Sequence, residues 1–320
     1  MSRRVLRVVV TVAVLALLVW RLGPGPFVDG LRDVDLPTVL AVLAISALTT
    51  TACALRWRRV GAGLGLDVPL GSAVASYYRS QLLNSVVPGG VVGDVDRGLR
   101  HGRAAGSTPL GLRAVAWDRV SGQTVQLAAT AALLVVLPSP LRGLGDALVA
   151  AVAVLVGVGV LAPRLGARAS RLGGWVRIAV DDVRHGLLPR RTAALVVGLS
   201  LVVVAGQVAV FLLAARAAGA PAAPAVLVPV ALLSLLAMAV PLHVAGWGLR
   251  EGAAAWAFAV VGLGADLGVR TAVVYGIVAT AATLPGLVVI VVAALRRRSR
   301  HAAPPRVAPV LVAAEVGLDG

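Results

Sequence analysis

The chain has 320 residues, of which 59% are hydrophobic and only 14% charged; an average soluble domain is about 25% charged. Mean hydropathy is +0.92, which excludes a string of soluble domains and puts the chain in a membrane. Basic side chains number 30 against 14 acidic ones, a formal charge of +16, and every cation is Arg. In such a chain this charge reads as Arg at the cytoplasmic ends of spans, facing anionic headgroups, rather than as a nucleic-acid footprint. A single cysteine, Cys53, excludes a disulfide framework and a Cys-based zinc site.

A membrane-spanning helix needs about 20 mostly apolar residues. The first candidate runs from Val5 to Leu22; no small-residue cleavage site follows it, so it reads as an uncleaved span. The second, Leu36 to Leu55, ends at Arg56-Trp57-Arg58-Arg59, read as a cytoplasmic loop. Leu70 to Arg103 opens like a helix but carries Arg79, Gln81 and Asn84. It breaks at Pro88-Gly89-Gly90 and resumes through Asp94, Asp96 and Arg97, too polar for an ordinary span. Ala114–Leu137 and Ala147–Pro163 read as spans, Arg164–Arg191 as a basic loop whose Asp181-Asp182 is solvated, and Thr192–Ala215 as a further span. Prolines divide Ala217–Leu249, Arg250-Glu251 interrupts, and Gly252–Ala265 is a short apolar segment. Thr271–Leu295 reads as the last span, closed by Arg296-Arg297-Arg298, and the tail from Ser299 to Gly320 as disordered.

Placing every basic cluster on the cytoplasmic side makes the parity of crossings a test of this map. Leu70–Asp96 must enter and return on the same side, and Ala225–Ala265 must start and finish outside. The expectation is an all-α polytopic bundle of about six full spans plus two broken, re-entrant hairpins in inverted orientation, with both termini cytoplasmic; the alternative is a plain eight- or nine-helix bundle in which both segments cross. Paired broken elements of opposite sense characterise inverted-repeat transporters.

Ionisable groups at membrane depth are costly, so they are the first functional candidates. Three clusters qualify. In the first, Ser76, Ser80 and Asn84 form a polar stripe at helical spacing before Pro88-Gly89-Gly90. Asp94 then lies in the first turn of a second half-helix, with Arg97 within reach three residues on. Gly89, Gly90 and Gly93 offer free backbone N–H groups to an anion, but no Gly-Lys-Ser/Thr makes this a nucleotide loop. In the second, Arg119, Gln123, Gln126 and Thr130 draw a polar line into an apolar span. Asp118 and Arg119, about 100° apart on a helix, should pair with other elements rather than each other. In the third, Gly246 and Gly248 permit a tight break before Arg250-Glu251. A buried guanidinium there requires an acid, Glu251 or Asp94, or an anionic ligand. His243 reads as packed or capping, Cys53 and Gln207 as helix-packing residues, and His101 and His185 as loop residues. No spacing suits a metal, no catalytic triad or paired catalytic carboxylates appear, and no cofactor is expected.

At these clusters the chain resembles the flippase-like transmembrane domain of lysylphosphatidylglycerol synthases, of which stand-alone versions exist. The family's Asn stretch, Pro-Gly and Gly-Gly-Asp-x-x-Arg correspond to Asn84 through Arg97, here with Val91-Val92 inserted before a single Gly93. Its acid–Arg pair followed by Gly matches Asp118-Arg119-Val120-Ser121-Gly122, and its Gly-x-Gly-x-Arg-Glu matches Gly246 to Glu251 behind Pro241. Three weak motifs in the right order are together specific.

The resemblance implies a bacterial inner-membrane translocase for an anionic or aminoacylated phospholipid, or for a lipid-linked sugar. Arg97, Arg119 and Arg250 would neutralise the headgroup phosphate, and Asp94 and Glu251 would hold those arginines when the site is empty. Asn84, Gly89, Gly90, Gly93, Asp118, Gln123, Gly246 and Gly248 complete the expected headgroup site. Nothing after Arg300 corresponds to the aminoacyl-transferase domain of the full synthase, so synthase activity is not implied. The alternatives are a membrane enzyme acting on a lipid-linked phosphate or sugar, and a non-catalytic partner of a separate synthase or glycosyltransferase. The expected partner is membrane phospholipid, with no nucleic acid; the oligomeric state stays open, a homodimer being one form.

Overall fold

A computed structural model describes residues 24–32, 34–87, 90–137, 140–166, 174–239 and 248–302, together with residues 16 and 20. Apart from residues 16 and 20, the expected first span lies outside the described residues, as do Pro88, Gly89, Pro241, His243, Gly246 and the tail beyond residue 302. Within them the fold is all-α. Its helices are α1 (Gly25–Arg32), α2 (Leu36–Gly63), α3 (Leu70–Val86), α4 (Val92–Ala104), α5 (Thr108–Val136), α6 (Arg142–Gly166) and α7 (Gly174–Asp182). After a π-helical turn at Val183–Leu187 come α8 (Arg190–Ala217), α9 (Pro224–Ala237), α10 (Leu249–Val260), α11 (Ala265–Ala281) and α12 (Pro285–Ala302).

The helix starts follow local chemistry. Asp35 caps α2 by accepting from the Thr38 amide at 3.0 Å, and proline occupies the first turns of α2, α5 and α9, where a missing N–H costs nothing. Among the described residues, Leu36–Gly63, Arg190–Ala217 and Ala265–Ala293 are long and apolar enough to cross a membrane. The 28 residues of α2 reach about 42 Å, a full hydrocarbon core with turns to spare. α2 lies along α8, and α5 packs against α4 and α6. One apolar core joins Val42, Leu134, Phe211, Val230, Phe258 and Val274; a second holds Trp57, Leu66, Ala73, Tyr77 and Val115.

Four departures from the sequence reading matter. The run Leu36–Leu55 does not end at a loop: α2 continues through Arg56 to Gly63, and Arg56 is buried. The run Thr271–Leu295 is not one straight helix, because α11 ends at Ala281 and α12 begins at Pro285. Pro285 cannot donate to the preceding turn, and a Cβ on Gly286 would overlap the Tyr78 carbonyl, so the break lets α12 seat on α3. The basic stretch Arg164–Arg191 is partly helical. In it Asp182 is buried, accepting from Trp117 Nε1 at 2.9 Å and pairing with Arg113 at 3.4 Å, while Asp181 is exposed. Asp181-Asp182 is therefore not a solvated pair. His101 belongs to α4 rather than to a loop.

α3 and α4 form an antiparallel hairpin that reverses between Val87 and Gly90, where Gly90 takes φ +59°. Contacts climb its two legs in opposite order: Asn84 with Gly93, Arg79 with Asp96, and Ser72 with His101. The legs touch backbone to backbone, since a Cβ on Gly93 would overlap the Ser80 carbonyl, whereas one on Gly71 meets nothing. Gly93→Ala is expected to destabilise the protein by about 1–3 kcal/mol, with Gly71→Ala close to neutral. Thermal unfolding of both variants in detergent checks this.

Candidate functional site

The buried charges form one continuous network at the hairpin. Asp118, in the middle of α5 and fully buried, receives three donors: Arg56 Nε at 2.8 Å on Oδ1, and Tyr77 Oη and Arg97 Nη2 (3.3 Å) on Oδ2. Asp94, at the start of α4, receives three and pairs with a further arginine. Ser80 Oγ (3.0 Å) and Arg97 Nη2 (3.1 Å) donate to Oδ1. Asn84 Nδ2 (3.0 Å) donates to Oδ2, which also forms an ion pair with Arg119. Asn84 also accepts the Gly93 amide at 2.8 Å, so one side chain fixes both the carboxylate and the turn of backbone that carries it.

Arg97 has no exposed surface. Its guanidinium carbon lies 3.9 Å from the Tyr77 ring centroid and 4.5 Å from that of Trp57. The aromatic faces stand where water would otherwise solvate the cation, and its Nε and Nη1 find no hydrogen-bond acceptor among the described residues. The edge of His101 closes on Trp57 at 4.9 Å, and its Nδ1 meets the Arg97 carbonyl at 3.0 Å. Arg56 passes over Gly122, where a Cβ would stand 2.5 Å from its Nη1, to reach Ser200 Oγ at 3.0 Å. The glycine after the Asp118-Arg119 pair is thus a clearance for a third arginine.

Arg119 faces the other way. About 37% of its side chain is accessible, its Nη2 donates to the Gly90 carbonyl at 3.0 Å, and it lines a cavity of about 380 Å³. Arg250 lines the same cavity from the start of α10. Behind it Glu251 accepts from Arg250 Nε at 3.0 Å and from its Nη2, while the second oxygen caps α10 by accepting the Gly248 amide at 2.6 Å. Gly248 adopts φ +94°, a conformation that favours glycine there. The Arg250 guanidinium also lies 5.3 Å from the Tyr275 ring centroid.

The cavity opens where both interruptions converge. Asn84, Ser85 and Gly90 come from the α3–α4 tip, Met238 and Ala239 from the end of α9, Arg250 from the start of α10, and Thr280 and Thr283 from the α11–α12 joint. The two polar ends touch directly, Ser85 Oγ lying 3.4 Å from Thr283 Oγ1. The remaining polar lining is amide and hydroxyl: Gln81, Gln123, Gln126, Gln207 and Thr50 among them.

Of the residues picked out in the sequence, Asn84, Gly90, Arg119, Gln123 and Arg250 line the cavity. Gly93, Asp94, Arg97, Asp118, Gly248 and Glu251 stand behind that lining. Arg97 is therefore not one of three arginines facing a common space; it is held between the two aspartates. Asp118 and Arg119 do turn to different partners, and the line through Gln123 and Gln126 does face inward. Two residues were misread. Arg56 looked like one more member of a flanking basic run, and only the partner on α5 distinguishes it from exposed Arg59. Gln207 lines the cavity instead of merely packing, and a lone amide in the apolar α8 was the signal available.

Residues 4–286 match the family described as Lysylphosphatidylglycerol synthase TM region. The chain belongs to that family. No match was found among curated proteins or among solved structures. As a lysylphosphatidylglycerol synthase TM region, with helices apolar enough to span, it is a membrane protein of a lipid-modification family. The three clusters picked out in the sequence meet here: the first two build the Asp94–Arg119 and Asp118–Arg97 ion pairs, and the third supplies Arg250 and Glu251.

Removing the Asp118 charge leaves Arg56 and Arg97 buried with too little negative charge. Asp118→Asn is expected to cost about 3–5 kcal/mol of stability, against about 1 kcal/mol for Tyr77→Phe, which deletes one donor. Denaturation of the purified variants in detergent measures both.

Proposed function

We propose that this protein binds the phosphate-bearing headgroup of a membrane lipid in the cavity and carries it between leaflets. The supporting observation is a polar chamber between the helices with Arg119 and Arg250 in its lining, each paired with a carboxylate. Phosphate prefers guanidinium partners, which match its oxygens with directed N–H groups. A translocase must also release what it binds, and Asp94 and Glu251 keep both arginines neutralised when the headgroup leaves. Among the described residues the polar side chains of the cavity lining are Arg, amide and hydroxyl groups, which suits binding of an anionic headgroup.

In this reading the α3–α4 hairpin and the α9–α10 segment are re-entrant elements of opposite orientation within a six-span bundle. Residues flanking the two turns, Asn84 and Gly90 in one and Ala239 and Arg250 in the other, line the chamber, and in this reading both termini face the cytoplasm of a bacterial inner membrane. The headgroup passes as the tips part on one side and close on the other. Partner enzymes would load or consume the lipid.

Reconstituted wild-type protein is expected to accelerate leaflet exchange of fluorescently labelled phosphatidylglycerol. Arg119→Gln and Arg250→Ala should each slow it by about tenfold or more, the loss of one charge-assisted contact. Folded variants exchanging at the wild-type rate would remove the mechanism.

A further inference from the structure

The face of α4 turned away from the charge network is graded along the helix. α4 packs against α3 and α5 and buries Gly93, Asp94, Arg97 and Gly98. On the opposite side, near the tip of the hairpin, Val92 and Val95 are exposed. Asp96 and Arg100 follow, half-buried, and Arg103 at the base is exposed. Val92, Asp96 and Arg100 recur every four residues and so form one stripe, apolar toward the tip and cationic toward the base.

α3 adds a further cation to this stripe. Asp96 accepts from Arg79 Nε at 2.9 Å and Nη2 at 3.4 Å, and from Arg100 Nε at 2.9 Å. Two guanidiniums thus share one carboxylate, and all three side chains are partly accessible. The surplus positive charge of this trio therefore lies at the protein surface, and Arg103, three residues after Arg100, adds another. The local sequence supplies no further counter-charge: between Leu70 and Trp117 the acids are Asp96 and Asp94, and Asp94 is buried in the network on the other side of α4. None of the three arginines lines the chamber.

The grading matches a phospholipid. The rise along α4 is about 12 Å from Val92 to Arg100 and about 16 Å to Arg103, close to half of a hydrocarbon core about 30 Å thick. This step rests on one part of the proposed reading, that the hairpin enters the membrane with its tip inward, and not on transport. With the hairpin so placed, Val92 and Val95 lie at the depth of acyl chains and the arginines at the level of headgroups. Guanidiniums match phosphate oxygens with directed N–H groups. A soluble anion would engage the arginines and leave the apolar end of the stripe without a partner, which favours a lipid.

We propose that the outer face of the α3–α4 hairpin holds one phospholipid of the leaflet the hairpin enters, its acyl chains on Val92 and Val95 and its anionic phosphate on Arg79, Arg100 and Arg103. This site is separate from the chamber and stands on the opposite side of α4.

Photo-crosslinking of the full-length protein in maltoside detergent tests it, with the cross-linked residues mapped by peptide mass spectrometry. The probe is phosphatidylglycerol carrying a diazirine in mid-chain, and the phosphate-free control is diacylglycerol with the same chain. Phosphatidylglycerol is expected to label residues 92–99 about fivefold or more above diacylglycerol. Replacing both partners, Arg79→Gln with Arg100→Gln, should bring labelling down to the diacylglycerol level, and Arg79→Lys with Arg100→Lys should retain most of it. Arg103→Gln leaves both Asp96 ion pairs in place and should lower labelling several-fold, which keeps the test valid should the double variant not fold. Equal labelling by the two probes, or labelling unchanged in both glutamine variants, would mean non-specific annular lipid and overturn the proposal. Suppression by an equimolar amount of inorganic phosphate would assign the arginines to a soluble anion and overturn it as well. Leaflet exchange measured on the same variants separates this site from the transport reading: labelling without exchange removes only transport, and exchange without labelling removes only this site.

Discussion

A buried guanidinium has to be neutralised where it lies, and the rest of this structure follows from that requirement. Water cannot follow Arg56 and Arg97 into the bundle, so carboxylates must come to them. Asp118 meets both, and Asp94 meets Arg97 from the other side. These pairings tie α2, α4 and α5 at one level, with Tyr77 of α3 joined through Asp118. Aromatic faces complete the shell around Arg97. The same demand explains small residues that otherwise look arbitrary: Gly122 clears the path of Arg56, and Gly93 lets α4 approach Ser80 closely enough for Asp94 to be gripped.

This network separates two jobs that the chain assigns to one residue type. Arg56, Arg97 and Arg250 are buried, the last at the edge of the chamber, whereas Arg119 is partly accessible in its wall. The chamber's polarity is therefore backed by a rigid layer. On the proposed function, a headgroup arriving at Arg119 would compete with Asp94, whose three hydrogen-bond donors Ser80, Asn84 and Arg97 stay in place. Binding can come and go without exposing a naked carboxylate.

Much of this could be read from the order of residues, and the part that could not has a physical cause. The break after Asn84, the helical reach from Asp94 to Arg97 and the divergence of Asp118 from Arg119 are local consequences of helix geometry. Local geometry also marks Arg250-Glu251, because no neighbouring sequence could solvate it. Arg56 escaped because its neighbours, Trp57, Arg58 and Arg59, look like an ordinary interfacial flank. Which arginine of such a run turns inward is decided by Asp118, 62 positions away. The facing of Arg97 was lost for the same reason: its position on α4 is legible, but the rings that enclose it come from α2 and α3. The α11–α12 break was legible in Pro285-Gly286, and the apolar run around it hid the signal.

That break has a mechanical result. Gly286 places α12 against the backbone of α3 at Tyr78, beside the Leu82 side chain, with no room for a side chain of its own. Any tilt of the hairpin therefore drags α12 with it, and the joint between α11 and α12 becomes the pivot. Thr280 and Thr283 sit at that pivot and on the chamber wall together. Rocking one leg would reshape the compartment from two directions at once, like a jaw whose hinge is also one of its teeth.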